Sequence, residues 1–322
     1  MSLGEFDLIS RYFMRPEGQG PRRAVVGNGD DCAVIAPAPG HHIALSTDTL
    51  VEGRHFLSTV DPARLGHKSL AVNLSDLAAS GARPLGFTLA LTLPRADASW
   101  LAGFSQGLLA LADAHDCELI GGDTTAGPLT IGITVLGEVP VGAALLRSGA
   151  RPGDDLWVSG QPGEARLALE VFRGTLSLSA DDFQTTRDRM ECPSPRVALG
   201  LALRGLAHSA IDVSDGLLGD LGHILRRSGV GATLHTECLP RSACLTRQPP
   251  ELQLDMLLAG GDDYELLFSA PATARDRVQA AAAQAGVPVH RFGQIDAEPG
   301  LRLLDQGRPL ANRWTSFDHF RA

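Results

Sequence analysis

Six short acidic stretches stand out by residue type and spacing. They are Gly27-Asn28-Gly29-Asp30-Asp31, Ser46-Thr47-Asp48, Asn73-Leu74-Ser75-Asp76, Gly121-Gly122-Asp123, Asp212-Val213-Ser214-Asp215-Gly216 and Gly260-Gly261-Asp262-Asp263. Five of them follow apolar segments and read as turns at strand ends, the edge of an α/β sheet where ligands bind. Glycines beside the acids let the backbone approach a ligand closely. The sixth lies inside an apolar helical segment, with Leu70, Val72, Leu74 and Leu77 around Asp76. That setting predicts a partly buried carboxylate, which is costly unless paired or bound to metal. Several Asp converging on one cleft repel each other unless hard cations sit between them. Mg²⁺ suits such a set, because it takes oxygen ligands, usually one or two carboxylates together with substrate phosphates and water. Each stretch alone is also the ordinary vocabulary of turns and caps. Together they point to a multi-metal phosphate site and name no substrate.

Composition narrows the classes. The 322 residues carry 28 basic and 37 acidic side chains, a net charge of −9. That balance argues against wrapping nucleic acid or lying on an anionic membrane, and any phosphate ligand would need help from cations. The only lysine, Lys68, follows His67 rather than glycine, which rules out the lysine-bearing nucleotide loop. Cys32, Cys117, Cys192, Cys238 and Cys244 are scattered, with no C-x-x-C spacing. Neither a disulfide scaffold nor a zinc site is expected, and a reducing, cytoplasmic compartment is. Glu5, Asp7, Arg11 and Arg15 interrupt the first twenty residues, which do not read as a secretory signal. No apolar run is long enough to predict a membrane span. Four further residues have two readings each. His55 is a ligand contact or a surface histidine, Arg147 a phosphate partner or one of 27 arginines, and Phe317 a stacking ring or a C-terminal anchor. Cys32, beside the Asp pair, is a nucleophile or a small core residue, and the lack of a histidine near it in sequence favours the core reading.

The elements that must carry these residues alternate between strand-like and helix-like patterns, which predicts a mixed α/β chain. Ile43-Ala44-Leu45, residues 87–93 and Ile131-x-Ile133-x-Val135 read as strands, the second stopped by Pro94. Asp61-Pro62 predicts a cap and first turn of a helix running to about Ser80, with Gly81 as its stop. Asp97 predicts the cap of a second helix, whose Trp100, Phe104, Leu108 and Leu111 share one face. The polar Gly/Pro stretch Arg147–Asp154 is the candidate domain boundary, separating residues 1–150 from 151–322. Beyond it, Leu156-Trp157-Val158 reads as a strand. Ser194-Pro195 reads as the cap of a helix reaching Leu206, and residues 274–285 read as helix. Residues 174–192 are polar and carry no clear pattern.

Taken in order, these segments resemble the thiamine-monophosphate kinase family. The stretches that carry the likeness include Gly29-Asp30-Asp31-Cys32-Ala33, Ser46-Thr47-Asp48-Thr49-Leu50, Asn73-Leu74-Ser75-Asp76-Leu77-Ala78-Ala79, Gly121-Gly122-Asp123-Thr124-Thr125, Arg147-Ser148-Gly149-Ala150, Ile211-Asp212-Val213-Ser214-Asp215-Gly216-Leu217, Gly260-Gly261-Asp262-Asp263-Tyr264-Glu265-Leu266 and Phe317-Asp318-His319-Phe320. The resemblance implies a two-domain fold like that of aminoimidazole-ribonucleotide synthetase. In it the N-terminal sheets of two copies form a dimer barrel, and a C-terminal α/β domain completes the cleft. It implies ATP-dependent phosphorylation of thiamine monophosphate to thiamine diphosphate, the last step in making that cofactor, with several Mg²⁺ ions. Asp31, Ser46, Thr47, Asp48, Asp76, Asp123, Asp212 and Asp215 match the family's magnesium ligands. Gly122, Asp123, Arg147 and Ser214 match its ATP contacts, and His55, Asp262 and Phe317 its contacts to thiamine monophosphate. Asp48, Asp76, Asp123 and Arg147 are the residues expected to serve catalysis. One departure is visible: the family commonly carries Glu where Asp262 stands. Two rivals share the fold. Selenophosphate synthetase needs a reactive residue near its N-terminus, where this chain has no cysteine before Cys32, and non-catalytic maturation scaffolds have no need of the acids present here.

Donor and acceptor phosphates are both anionic. Two unit charges about 4 Å apart interact by about 4 kcal/mol at an effective dielectric of 20. Cations that offset this repulsion would make direct in-line transfer possible, with no general base because the acceptor oxygen is already an anion.

Overall fold

The computed structural model describes residues 5–16, 19–20, 22–28, 32–315 and 317. The chain divides into two compact units, Met1–Leu77 with Ala82–Gly142, and Ala78–Gly81 with Ala143–Ala322.

The first unit runs α1 (Glu5–Tyr12), β1 (Ala24–Val26), β2 (Val34–Ile35), β3 (His41–Val51), α2 (Pro62–Ala79), β4 (Arg83–Leu93), α3 (Ala98–Ala114), β5 (Glu118–Ala126) and β6 (Thr130–Pro140). Both helix starts form as the sequence predicts. Asp61 accepts the N–H groups of Ala63 and Arg64 at 2.9 and 3.2 Å. Asp97 accepts those of Ser99 and Trp100 at 3.0 and 3.2 Å. Gly81, at φ +61°, follows the end of α2. Strands β3, β6, β4 and β5 form one sheet in that order, so β3 and β5 are its two edges. Leu50, Phe87, Leu89, Leu91, Ile131, Ile133 and Val135 are buried on one face. The alternate positions Ile43, Leu45, Thr47, Thr49, Ala90 and Asp123 are exposed on the other.

Two of the expected strand-end turns lie inside strands. Ser46-Thr47-Asp48 is the middle of the eleven-residue β3, and Gly121-Gly122-Asp123 the middle of β5. The polar residues hid the strands from an apolar run-length reading, although period two continues through them.

The second unit holds β7 (Asp154–Ser159), α4 (Glu164–Phe172), α5 (Ala180–Glu191), α6 (Val197–Ala202), β8 (Ser209–Asp212), α7 (Leu217–Ser228), β9 (Gly231–His235), α8 (Ala243–Thr246), α9 (Pro250–Ala259), β10 (Leu266–Pro271), α10 (Arg275–Gln284), β11 (Val289–Asp296), β12 (Gly300–Asp305) and β13 (Arg308–Leu310). Its seven strands pair in the order β13-β12-β9-β11-β7-β10-β8. One face of that sheet packs on α7 through Leu217, Leu221, Ile224 and Leu225.

One local expectation fails here, and one stretch without a clear pattern proves to be helical. Ser194-Pro195 does not cap a helix: α6 begins at Val197, Arg196 sits at the N-cap without a side-chain cap bond, and the helix ends at Ala202, short of Leu206. The polar stretch 174–192 contains α5, capped by Ser179; it buries Thr186, Met190 and Glu191 and sets the Phe183 ring edge-on to Phe172 of α4. A face that carries only Phe183 and Met190 among polar residues leaves too thin an apolar stripe to read.

Candidate active site

In the first unit the elements place two acids side by side. Ser46 and Asp48, two residues apart on β3, share one face, and Asn73 and Asp76 are three apart on α2. Ser46 Oγ donates to Asp76 Oδ2 at 2.5 Å, and the Asp48 N–H donates to Asn73 Oδ1 at 3.2 Å. Asn73 is fully buried, and its amide nitrogen donates back to Ser69 O at 3.0 Å, which aims its oxygen at β3. Asp76 is half-buried, as its leucine-rich surroundings predict. Asn73 escaped the sequence reading, although it opens the same Asn-Leu-Ser-Asp stretch one helical turn before Asp76.

Thr47 points to the opposite, open face, where its hydroxyl lies 2.8 Å from that of Thr134. Asp123 belongs to that face too. It stands level with Ala90, which stands level with Gly132, itself level with Thr49. Asp123 is therefore on the far edge of the sheet from Asp48, about 14 Å away at three interstrand spacings. Gly122 has φ +151°, and a Cβ there would stand 2.0 Å from Leu89 O, so only glycine fits. Asn28, the last described residue before Asp31, donates to Leu119 O at 3.0 Å beside this strand. Asp31 itself lies outside the described residues. His55 Nδ1 accepts the Val51 N–H at 3.0 Å, which leaves Nε2 to carry the proton of the neutral ring. Cys32 is exposed rather than part of the core.

In the second unit the turn after β8 and the loop before β10 extend their strand pairing into a candidate site. The Asp262 N–H donates to Ser214 O at 2.7 Å, and the Tyr264 N–H to Val213 O at 2.9 Å. The Phe317 N–H donates to Asp215 O at 3.2 Å, so the C-terminal segment docks by its backbone while the ring stays 49% exposed. Asp212, Ser214, Asp215, Asp262 and Phe317 thus gather at one place. Asp220 is a member that the sequence reading missed. Buried in the first turn of α7, its Oδ2 accepts the N–H groups of both Ser214 and Asp215 at 3.1 Å. Burial and the neighbouring Asp215 push its pKa up to about 7, against the pull of those two bonds and of Arg147. An acid five residues beyond Asp215, in an otherwise apolar first turn, was the available signal. Arg147 reaches this group from the stretch 147–150. That stretch is held to α7 by Ser228, whose hydroxyl donates to Arg147 O and accepts the Gly149 and Ala150 N–H groups. Asp263 is committed elsewhere. Its Oδ1 accepts the Gly163 N–H at 2.8 Å at the start of α4, and burial pushes its carboxyl well above the usual range.

Among the described residues, no three His, Cys, Asp or Glu side chains are grouped closely enough to hold a metal. The donor chemistry nevertheless fits a hard cation. Every candidate ligand is a carboxylate or hydroxyl oxygen, and Mg²⁺ asks a protein for only one or two carboxylates when phosphate supplies the rest.

Residues 29–139 match the AIR synthase related protein, N-terminal domain, and residues 151–306 its C-terminal domain. The thiamine-monophosphate kinase of Salmonella typhimurium is 47% identical over 99% of both chains. The chain belongs to the thiamine-monophosphate kinase family. The crystal structure of the family member from Stenotrophomonas maltophilia K279a is 44% identical, covers 96% of this chain and 99% of its own, and superposes with a TM-score of 0.85. A structure of AaThiL complexed with AMPPCP and TMP is 28% identical over 88% and 89% of the two chains, with a TM-score of 0.76. The family fold is therefore the mixed α/β, two-domain architecture described above.

Proposed function

We propose that this protein transfers the γ-phosphoryl group of ATP directly to the phosphate of thiamine monophosphate, giving thiamine diphosphate and ADP. The observation that carries the reading is the end-to-end likeness to thiamine-monophosphate kinases, 47% identical over 99% of both chains in the case of Salmonella typhimurium. The AaThiL complex with AMPPCP, an ATP analogue, and TMP supports the same pair of substrates.

Arg147 and Ser214 hold the ATP phosphates. His55, Asp262 and the Phe317 ring orient the acceptor so that its oxygen lies in line with the leaving ADP. Asp31, Ser46, Thr47, Asp48, Asp76, Asp123, Asp212 and Asp215 would hold Mg²⁺. Bound magnesium supplies the positive charge that lets two anionic phosphates approach. No side chain has to remove a proton, because the acceptor oxygen is already an anion, and no phosphorylated protein intermediate forms.

The working form is a homodimer. The sheet of the first unit leaves one face open, with Leu45 64% and Ile43 40% exposed. Asp48 and Asp123 stand on opposite edges of that sheet, too far apart to share an ion within one copy. A second copy laid face to face would bring its Asp123 edge to the first copy's β3 edge, which carries Thr47 on the open face and Asp48 beside it. The C-terminal domain, residues 151–322, contributes Asp212, Asp215 and Asp262 to phosphate and metal binding.

Purified protein with ATP, Mg²⁺ and thiamine monophosphate should yield thiamine diphosphate, with free thiamine a poor acceptor. Chelation of the metal should abolish turnover, and Asp76→Ala should lower kcat by at least about 100-fold with an unchanged circular dichroism spectrum. Full activity of Asp76→Ala, or label from ATP trapped on the protein as a competent intermediate, would end this reading.

A further inference from the structure

The segment Pro193-Ser194-Pro195-Arg196 starts no helix by capping, and its arginine has a different task. Arg196 Nε donates to Glu265 Oε2 at 2.7 Å and Nη2 to Oε1 at 2.5 Å, a two-pronged pair. Both side chains are largely out of solvent, at 15% and 7% exposure. Ser159 Oγ donates to the same carboxylate at 2.5 Å and accepts the Leu266 N–H at 2.8 Å. Gly160 closes the remaining side, since a Cβ there would stand 1.9 Å from Glu265 Oε1.

Glu265 ends the loop that begins at Gly260. The intervening backbone is left-handed at Gly261 (φ +71°), Asp262 (φ +62°) and Tyr264 (φ +53°). Such angles at non-glycine residues cost energy and persist only where the surroundings over-determine them. Three ties are backbone bonds: Asp262 to Ser214, Tyr264 to Val213, and the Val213 N–H to Glu265 O at 2.8 Å. The side-chain ties are Asp263 to Gly163, Ser159 to Glu265 and Leu266, and the Arg196–Glu265 pair. A buried ion pair contributes little net stability beside an apolar pair of equal volume, so its value here lies in geometry.

We propose that Arg196 is a positioning residue for the phosphate acceptor: by gripping Glu265 it fixes the left-handed loop backbone and thereby the aim of the Asp262 carboxylate. The inference rests on thiamine monophosphate being the acceptor and Asp262 its contact. Arg196 acts through the loop that carries Asp262, so its loss should be felt more by thiamine monophosphate than by ATP, whose contact Ser214 meets that loop only through one backbone bond.

Arg196→Lys keeps the charge and loses the fork, and it carries the test if Arg196→Met fails to fold. The KM for thiamine monophosphate should rise about tenfold while that for ATP stays within about twofold. On an Asp262→Ala background the lysine substitution should add nothing further, because its route runs through that carboxylate. Equal rises in both KM values, or a full additional effect on the Asp262→Ala background, would overturn the proposal. Hydrogen exchange gives a readout that needs no turnover. Amides of residues 262–264 should exchange about tenfold faster in Arg196→Lys, with the centre of β10 unchanged. Unchanged protection of those amides would also overturn it. A wild-type protein that makes no thiamine diphosphate would sink the acceptor reading instead, and the exchange comparison would still decide whether Arg196 holds the loop.

Discussion

At Asp262 the backbone angle favours a short polar side chain. A left-handed residue other than glycine is favoured when its short polar side chain can bond locally, as Asp and Asn can and Glu cannot. With φ +62° at this position, Asp262→Glu should lower the melting temperature by about 2 °C, or about 1 kcal/mol, in a calorimetric scan. Its effect on the KM for thiamine monophosphate would show whether the extra methylene improves reach. Asp263, next in the chain, works by different physics. Burial raises its carboxyl pKa well above the ordinary value, so the folded state binds a proton that the unfolded chain has released. Stability associated with this group is therefore lost as pH rises above the unfolded value of about 4, until the folded pKa is passed. Asp263→Asn keeps the acceptor for the Gly163 N–H and removes the titration. It should raise the melting temperature more at pH 8 than at pH 5, and an equal rise at both would contradict this account.

At the scale of elements, β5 shows how a strand constrains a candidate binding residue. Gly122 presses its Cα against the Leu89 carbonyl of β4, and no side chain fits the gap. Gly122→Ala must move β5 away from β4 or break their pairing, which should cost about 2 kcal/mol and weaken AMPPCP binding. Thermal melting and titration calorimetry would measure both, and an alanine variant with wild-type melting would show that β5 yields easily. The α2–β3 pair is a second case. A polar ladder of Ser69, Asn73 and Asp76 runs along a buried helix, and each member reaches either its own backbone or β3.

At the scale of the whole molecule, the edges of the first sheet set the test of assembly. Strand β3 carries Asp48, β5 carries Asp123, and two strands lie between them. If the two acids serve one site from different copies, Asp48→Ala and Asp123→Ala are each inactive, yet refolding them together should restore about a quarter of wild-type activity. Half of the mixed dimers are hetero-dimers, and each of those holds one intact site. No recovery, with dimers confirmed by light scattering, would place the two acids in separate roles.

The sequence by itself determined the fold class, the two capped helices of the first unit and the identity of nearly every candidate site residue. Caps, prolines and period-two runs are local signals, and Asp-Gly stretches keep their order along the chain. Tertiary structure alone decided three things. Ser46-Thr47-Asp48 is mid-strand rather than a turn, because hydrogen bonding to β6 holds polar residues extended as readily as apolar ones. Asp262 and not Asp263 remains the candidate acceptor contact, because the start of α4 claims Asp263 from a hundred residues away. Arg196 finds Glu265 69 residues away, and no spacing rule reports a bond that exists only once two elements have packed.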